Sequence, residues 1–183
     1  LFGSAQSKSQ LDGKPLPFWY ELENNKKRVG DDSLVWEPLD RDFWEKHLNR
    51  KEYNVLRHHG TEAPRSHRYN NIYPKTGYFA CRACGLPLYG YHSKFDSSTG
   101  WPSFGTNIEG NVTERPDFEY GIQRQEVCCA RCESHLGHVF AERSSNKFDH
   151  LETFTERQCI NGVCLHFINK PLPDNLNPKA TAL

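Results

Sequence analysis

A mainly β fold, with two small antiparallel β-sheets and short N-terminal helices, is predicted by three features of this 183-residue sequence. The first is a pair of C-x-x-C motifs, Cys81-Arg82-Ala83-Cys84 and Cys129-Ala130-Arg131-Cys132. Two thiolates two residues apart can grip one tetrahedral zinc, and two such pairs close a structural Cys₄ shell. The pairs lie too far apart for a simple zinc ribbon, so Zn²⁺ is expected to staple two distant hairpins. A redox role for the pairs is the weaker alternative. The second feature begins at residue 77. Short runs such as Tyr78-Phe79-Ala80-Cys81 and Leu86-Pro87-Leu88-Tyr89 are split by Gly and Pro. Phe118, Tyr120 and Ile122, continuing to Glu126-Val127, alternate as a strand over 118–127 would. Val163, Leu165 and Phe167 alternate again. The third feature is a pair of helix starts before residue 60.

In chain order, residues 1–16 are polar and rich in Ser, Gly and Lys, which reads as a disordered arm or processed end. Phe18, Trp19, Tyr20 and Trp36 flank a charged segment and could pack that arm onto the domain. The expected division is an arm over 1–36, partly disordered, a domain over 37–170 and an extended tail over 171–183. Asp40 can cap a first helix with Trp44 and Leu48 on one face. Asn49 and Glu52 resemble a capping box for a second, with Tyr53 and Leu56 buried and Gly60 at the left-handed C′ position. Between Arg50 and Lys75 Lys and Arg outnumber Glu, which reads as a solvated basic face or as a docking surface for an acidic redox partner.

Hydrophobic residues reach only 36%, with a mean hydropathy of -0.80, which suits a loop-rich fold held by metal. Formal charge is +0, from 23 basic and 23 acidic residues, so no global field draws the protein to nucleic acid or anionic membrane. No apolar run approaches the ~20 residues of a membrane helix. Seven cysteines, four of them with metal-ligand spacing, fit a disulfide framework poorly and favour a reducing intracellular compartment. The cytosol is the expected location. An organelle is the alternative, because the chain starts at Leu1 without methionine and a targeting segment would not be visible.

Cys128, Cys159 and Cys164 remain outside the metal set. Cys159 lies in Arg157-Gln158-Cys159-Ile160-Asn161, and strand positions two apart share a face, so Arg157, Cys159 and Asn161 could converge. A guanidinium beside a thiol favours the reactive thiolate, which should alkylate well below pH ~8.5. A buried structural cysteine is the alternative. His135 and His138 could be ligands, core residues or acid–base groups. A full Cys₄ shell disfavours ligation, and two imidazoles beside a thiolate suit proton delivery to a leaving oxygen. In Gly100-Trp101-Pro102-Ser103-Phe104, Trp101 and Phe104 are either core or an aromatic wall for a small apolar group such as a methyl.

Taken together, Gly60-Thr61-Glu62-Ala63-Pro64, Gly77 to Gly85, Lys94-Phe95-Asp96-Ser97, the Trp101 loop, Arg124 to Val127, Cys129 to Phe140 and Cys159-Ile160-Asn161 resemble the methionine-R-sulfoxide reductase family, MsrB. The likeness runs from about Tyr53 to Phe167. It implies a β domain with a structural Cys₄ zinc that reduces the R epimer of free or protein-bound methionine sulfoxide. Cys159 would be the nucleophile, with Arg157, Asn161, His135 and His138 around the sulfoxide oxygen and Trp101 on the methyl. The product, a sulfenic acid, would be reduced by thioredoxin or another thiol. A monomer is expected. Many relatives carry a resolving cysteine where this chain reads Ser97-Ser98-Thr99. Asn161-Gly162 is a strong two-residue hairpin signal. A hairpin there would pair Ile160 with Val163 and set Cys159 opposite Cys164, making Cys164 a candidate resolving thiol and Cys128, beside a zinc ligand, a weaker one. The runner-up reading is a non-catalytic zinc module that binds a protein partner. Metal-catalysed hydrolysis would need an open zinc position, which four cysteines do not leave.

Overall fold

The helix starts and the cysteine knuckles are local features, and both set the path of the chain in the computed structural model, which describes residues 13–23, 26–29, 33–141 and 156–173. A short helix α1 (Trp19–Glu23) leads to a hairpin of β1 (Lys26–Val29) and β2 (Ser33–Trp36). Helix α2 (Arg41–His47) starts where Asp40 Oδ1 accepts a hydrogen bond from the Phe43 amide at 2.8 Å. Helix α3 (Arg50–His58) starts on a full capping box. Asn49 Oδ1 accepts from Glu52 N at 3.0 Å, and Glu52 Oε2 accepts from Asn49 N at 3.0 Å. The left-handed residue that ends α3 is His59 (φ 56°), not Gly60 as expected; Gly60 N instead donates to Asn54 O at 3.1 Å. A non-glycine residue held there is uncommon, and the ring of His59 is tied elsewhere, as described below.

Among the described residues nine strands follow: β3 (Tyr78–Cys81), β4 (Pro87–Gly90), β5 (Lys94–Phe95), β6 (Ser103–Phe104), β7 (Val112–Asp117), β8 (Arg124–Cys129), β9 (His135–Ala141), β10 (Glu156–Ile160) and β11 (Leu165–Ile168). They form two antiparallel sheets, one of three strands ordered β11-β3-β4 and one of six ordered β5-β6-β10-β9-β8-β7. The mainly β fold is therefore the one expected. The core between the sheets is aromatic. Phe104 stacks on Tyr89 with ring centres 4.1 Å apart, and Phe79 meets both Phe104 (5.3 Å) and Phe167 (5.2 Å). Phe104 is fully buried, so it is a core residue and not the substrate wall proposed for it. Its position in a β-strand explains why. Ser103 and Phe104 point to opposite faces, and Phe104 takes the face toward the three-stranded sheet.

The N-terminal segment is part of this core. Trp19 and Leu22 are buried, and Trp19 Nε1 donates to Arg82 O at 3.2 Å. The Trp19 ring lies so close to Gly85 that a Cβ there would meet it at 2.7 Å. Residues 1–12, expected to be disordered, and residues 174–183 of the expected tail lie outside the described residues.

Two expected strand assignments are corrected. Residues 118–122 are not strand. They form the connection between β7 and β8, with Tyr120 (φ 59°) and Gly121 (φ 70°) in the left-handed region. Phe118, Tyr120 and Ile122 are 66%, 89% and 62% exposed. Their alternation is real, but among the described residues no sheet face covers it. The Asn161-Gly162 hairpin also does not form. Residues Gly162–Cys164 make one turn of 3₁₀ helix, and the strands on either side belong to different sheets. Asn161 is drawn out of a turn position because its side chain is used elsewhere.

Gly137 has a requirement that its sequence position does not reveal. β9 and β10 pair so closely that a Cβ on Gly137 would sit 1.9 Å from Cys159 O. The obstacle is backbone, which cannot rotate away. Gly137→Ala is therefore expected to destabilise the protein by about 3 kcal/mol or more, read as a shift in the denaturant midpoint, whereas Gly110→Ala, where a Cβ would have nothing within 4 Å, meets no contact and costs only its own backbone strain.

Candidate active site and metal centre

The two C-x-x-C motifs fold as matching knuckles. Cys81 ends β3 and Cys129 ends β8, and each accepts a turn-closing hydrogen bond four residues on, from Gly85 N at 2.8 Å and from Glu133 N at 2.9 Å. Gly85 (φ 78°) and Glu133 (φ 58°) occupy the same left-handed place in each turn. The knuckles meet. Cys81 Sγ lies 3.7 Å from Cys132 Sγ and Cys84 Sγ lies 3.6 Å from Cys129 Sγ, with all four sulfurs within 4.8 Å of one another. A tetrahedron with Zn–S bonds of about 2.3 Å has edges of roughly 3.8 Å, so four soft donors at these separations fit one metal ion. Arg57 supports the group from outside, donating to Cys132 O (2.9 Å) and to Ser134 Oγ (3.0 Å).

Cys159 lies in the middle of the six-stranded sheet, directly opposite His138 on β9 and Ser103 on β6. Along β10 Gln158 and Ile160 point into the core, while Arg157 and Cys159 share the half-exposed face. His135 and His138, three apart, would fall on opposite faces of a regular strand. A register shift opposite Val127 and Cys128 inserts one residue in β9, and the two rings come within 5.5 Å. Such a bulge re-aims side chains at a site.

Each imidazole is held by a carboxylate. Glu126 Oε1 is 2.6 Å from His135 Nδ1 and equally 2.6 Å from His59 Nδ1. Asp117 Oδ2 is 2.7 Å from His138 Nε2 and accepts from Arg124 at 2.8 Å. Glu119 N on Asp117 Oδ1, and next His138, hold the Asp117 carboxyl down to about 2. Burial alone would raise Glu126, but its bonds and charge interactions with His135 and His59 outweigh burial and keep it below the usual carboxylate range. Burial dominates at His135 and lowers its pKa despite Glu126. His135 Nε2 is buried and has no hydrogen-bond partner among the described residues.

The expectation of a low-pKa thiolate at Cys159 is corrected. Burial pushes this thiol above its ordinary value of 9.0, more than Arg157 and the hydroxyls of Thr99 and Ser103 pull it down. The hydroxyls form a chain. Thr99 Oγ1 lies 4.0 Å from Cys159 Sγ and 2.8 Å from Ser97 Oγ, which lies 2.7 Å from Ser103 Oγ. The Ser97-Ser98-Thr99 segment thus places a hydroxyl beside the thiol. Arg157 also lies over the Phe140 ring, 4.9 Å from its centre.

Asn161 is buried, with both ends of its amide bonded to backbone: Oδ1 accepts from Glu62 N (3.0 Å) and Nδ2 donates to Leu136 O (2.9 Å). It is a positioning residue, fastening β10 to β9. Glu62 extends the same brace. Its carboxylate accepts from Gly162 N (2.6 Å) and Val163 N (3.1 Å), and its carbonyl accepts from Trp101 Nε1 (3.0 Å). Trp101 is therefore fixed by its indole N–H and leaves its ring partly exposed.

Cys164 is fully buried, and its thiol donates to His135 O at 3.3 Å. The partners of Cys159 are His138 and Ser103, so the cross-strand geometry that made Cys164 a candidate resolving thiol is absent. Cys128 is buried too, and burial pushes its thiol up to about 12.

His59, Glu126, Asp117 and Thr99 were not among the residues singled out from sequence. Glu126 and Thr99 lie in segments noted for other reasons. Their pairing with His135 and Cys159 depends on strand register, which no local pattern carries.

The SelR domain family model matches residues 48–169, more than half of the chain. A peptide methionine sulfoxide reductase MsrB from Xylella fastidiosa is 42% identical over 135 residues, covering 71% of this chain and 81% of that protein. One from Caulobacter vibrioides is 42% identical over 141 residues, covering 75% and 84%. An uncharacterized protein of Schizosaccharomyces pombe is also 42% identical over 141 residues, covering 75% of this chain and 98% of its own length. With the family match spanning both cysteine knuckles and the Cys159 strand, and with these relatives beside it, the chain belongs to the SelR-domain, or MsrB, family.

Proposed function

We propose that this protein reduces methionine sulfoxide, taking the R epimer and returning methionine, with Cys159 as the attacking thiol. The observation that carries the reading is a half-buried thiol facing a histidine across the strand pair, beside a second, both anchored by carboxylates. The relatives named MsrB support the same substrate class.

The chemistry balances. The Cys159 sulfur attacks the sulfoxide sulfur and forms an S–S bond as the S–O bond breaks, the oxygen taking the thiol proton and one from solvent and leaving as water. A water then attacks the Cys159 sulfur, breaks the S–S bond and returns a proton, so methionine leaves and Cys159 carries one oxygen as a sulfenic acid. Cysteine is oxidised by two electrons and the sulfoxide is reduced by two. The thiol begins protonated, because burial raises it. Its proton must therefore move from Sγ to the sulfoxide oxygen as the bond forms. A neutral imidazole can accept it and pass it on, and burial keeps His135 neutral at the pH where the thiol is protonated. Glu126 and Asp117 fix the orientation of the two rings. Arg157 stabilises negative charge on sulfur while the proton is in transit. Trp101, pinned by its N–H, offers an indole face to the methyl group. Burial of a methyl there is worth only about 1–3 kcal/mol, so the choice of epimer depends on where the oxygen meets the imidazoles.

Zn²⁺ held by Cys81, Cys84, Cys129 and Cys132 would supply a structural cross-link with a closed shell. Thioredoxin or another thiol would return the sulfenic acid to thiol. Cys164 and Cys128 are fully buried and neither pairs with Cys159, which supports a thiol from outside as the reductant.

Separated epimers test the assignment. The R epimer is expected to be reduced with multiple turnovers and the S epimer at background; reduction of both, or of neither, contradicts it. The pH profile follows from the same groups. Protonating His135 removes the acceptor, and its pKa is lowered from 6.5. Ionising Cys159 removes the proton to be moved, and its pKa is raised from 9.0. The profile of kcat/KM is therefore expected to fall on the acid side only below pH 6.5 and on the alkaline side only above pH 9.0. A rate that climbs through an inflection near pH 7 would indicate a low-pKa thiolate instead.

A further inference from the structure

His59, Glu126 and His135 bring two ring nitrogens and a carboxylate oxygen within 4.8 Å of one another. We infer that these three residues form a second metal site, which takes a divalent transition ion of the zinc type and competes with sulfoxide reduction.

The geometry is convergent. Both Nδ1 atoms point at the same oxygen, Glu126 Oε1, each at 2.6 Å. A small expansion of that cluster would let an ion at about 2.0–2.2 Å replace the shared hydrogen-bond contacts. Two imidazoles and one carboxylate are a donor set that binds Zn²⁺ with a fourth position left for water. The carboxylate leaves the trio negative when both rings are neutral, which favours a divalent cation.

The trio also has a way in and a sheltered side. His59 is 56% exposed and His135 is buried, so an ion can enter over His59 and sit against the protein. His135 Nε2 has no hydrogen-bond partner among the described residues. Its ring can therefore give up the Nδ1 proton to metal and carry its hydrogen at Nε2 without breaking another bond. His59 is held in the left-handed conformation at the end of α3, an arrangement that costs backbone energy and aims the ring across to β8. The site shares no residue with the four cysteines.

A metal there takes the lone pair of His135 that would otherwise relay the proton. Inhibition rests on the role given to His135 above; binding does not. The expected behaviour is reversible loss of activity in excess Zn²⁺ while the Cys₄ metal stays in place.

The test starts from protein carrying one equivalent of zinc. Titration with Zn²⁺, followed by calorimetry, should show one further equivalent. Co²⁺ added in its place should give visible bands without a thiolate charge-transfer band. His59→Asn, which tolerates the left-handed backbone, and Glu126→Gln should each weaken the second equivalent tenfold or more. For His59→Asn the zinc concentration that halves its own activity should rise by the same factor. Unchanged second-metal affinity in both variants overturns the site, as does a thiolate-to-cobalt band lost in Cys159→Ser, which would place the ion on sulfur. Binding that depends on His59 but leaves reduction untouched upholds the site and overturns the competition, and with it the relay role of His135.

Discussion

Cys159→Ser is expected to abolish methionine sulfoxide reduction, by at least about 10³-fold in kcat, with metal content and unfolding midpoint close to those of the parent. A serine oxygen is nearly the shape of the thiol but cannot take up an oxygen. The backbone pairing that holds Cys159 does not use its sulfur, which meets the side chains of Thr99, Ser103 and Arg157. Its backbone pairs with His138 and Ser103, and the contact from Thr99 Oγ1 is long, at 4.0 Å. The variant should therefore fold and fail only in chemistry. Equal loss in a Cys164→Ser variant would contradict the account, because that thiol is fully buried and donates to His135 O.

Removing a metal ligand is expected to unfold the protein. Cys132→Ser, or treatment with a strong chelator, should remove the bound metal and the cooperative thermal transition together. Structural zinc contributes on the order of 10–16 kcal/mol to folding, comparable with the ~5–15 kcal/mol stability of a whole domain. The four cysteines join the end of β3 in one sheet to the β8–β9 turn in the other. With only 36% hydrophobic residues the core has little with which to replace that link. Circular dichroism and metal analysis on the same samples check this. A chelated protein with an unchanged melting transition would show that the sheets hold without the ion.

How much of this was legible in sequence depends on the range of each interaction. The caps at Asp40 and Asn49 and the paired knuckles are set within three or four residues, and they stand where their spacing placed them. The two-sheet β architecture followed from short apolar runs. Residues whose neighbours are distant were harder. The alternation of Phe118, Tyr120 and Ile122 cannot say whether a sheet lies over it, and among the described residues none does. Asn161-Gly162 has the local chemistry of a hairpin, but Glu62 and Leu136, far away in sequence, claim the Asn161 side chain. Arg157 does oppose the rise in the Cys159 pKa, as its spacing suggested, yet burial is the larger effect and has no local signature. Glu126 and His135 meet through a bulge, which shifts faces without leaving a pattern.

Mass spectrometry after a single turnover without reductant tests the central claim most directly. With the R epimer, the Cys159 peptide should carry the adduct of a sulfenic-acid reagent, which marks one oxygen delivered to that sulfur, while Cys164 and Cys128 stay unmodified. An unmodified Cys159 after stoichiometric methionine release would contradict the account.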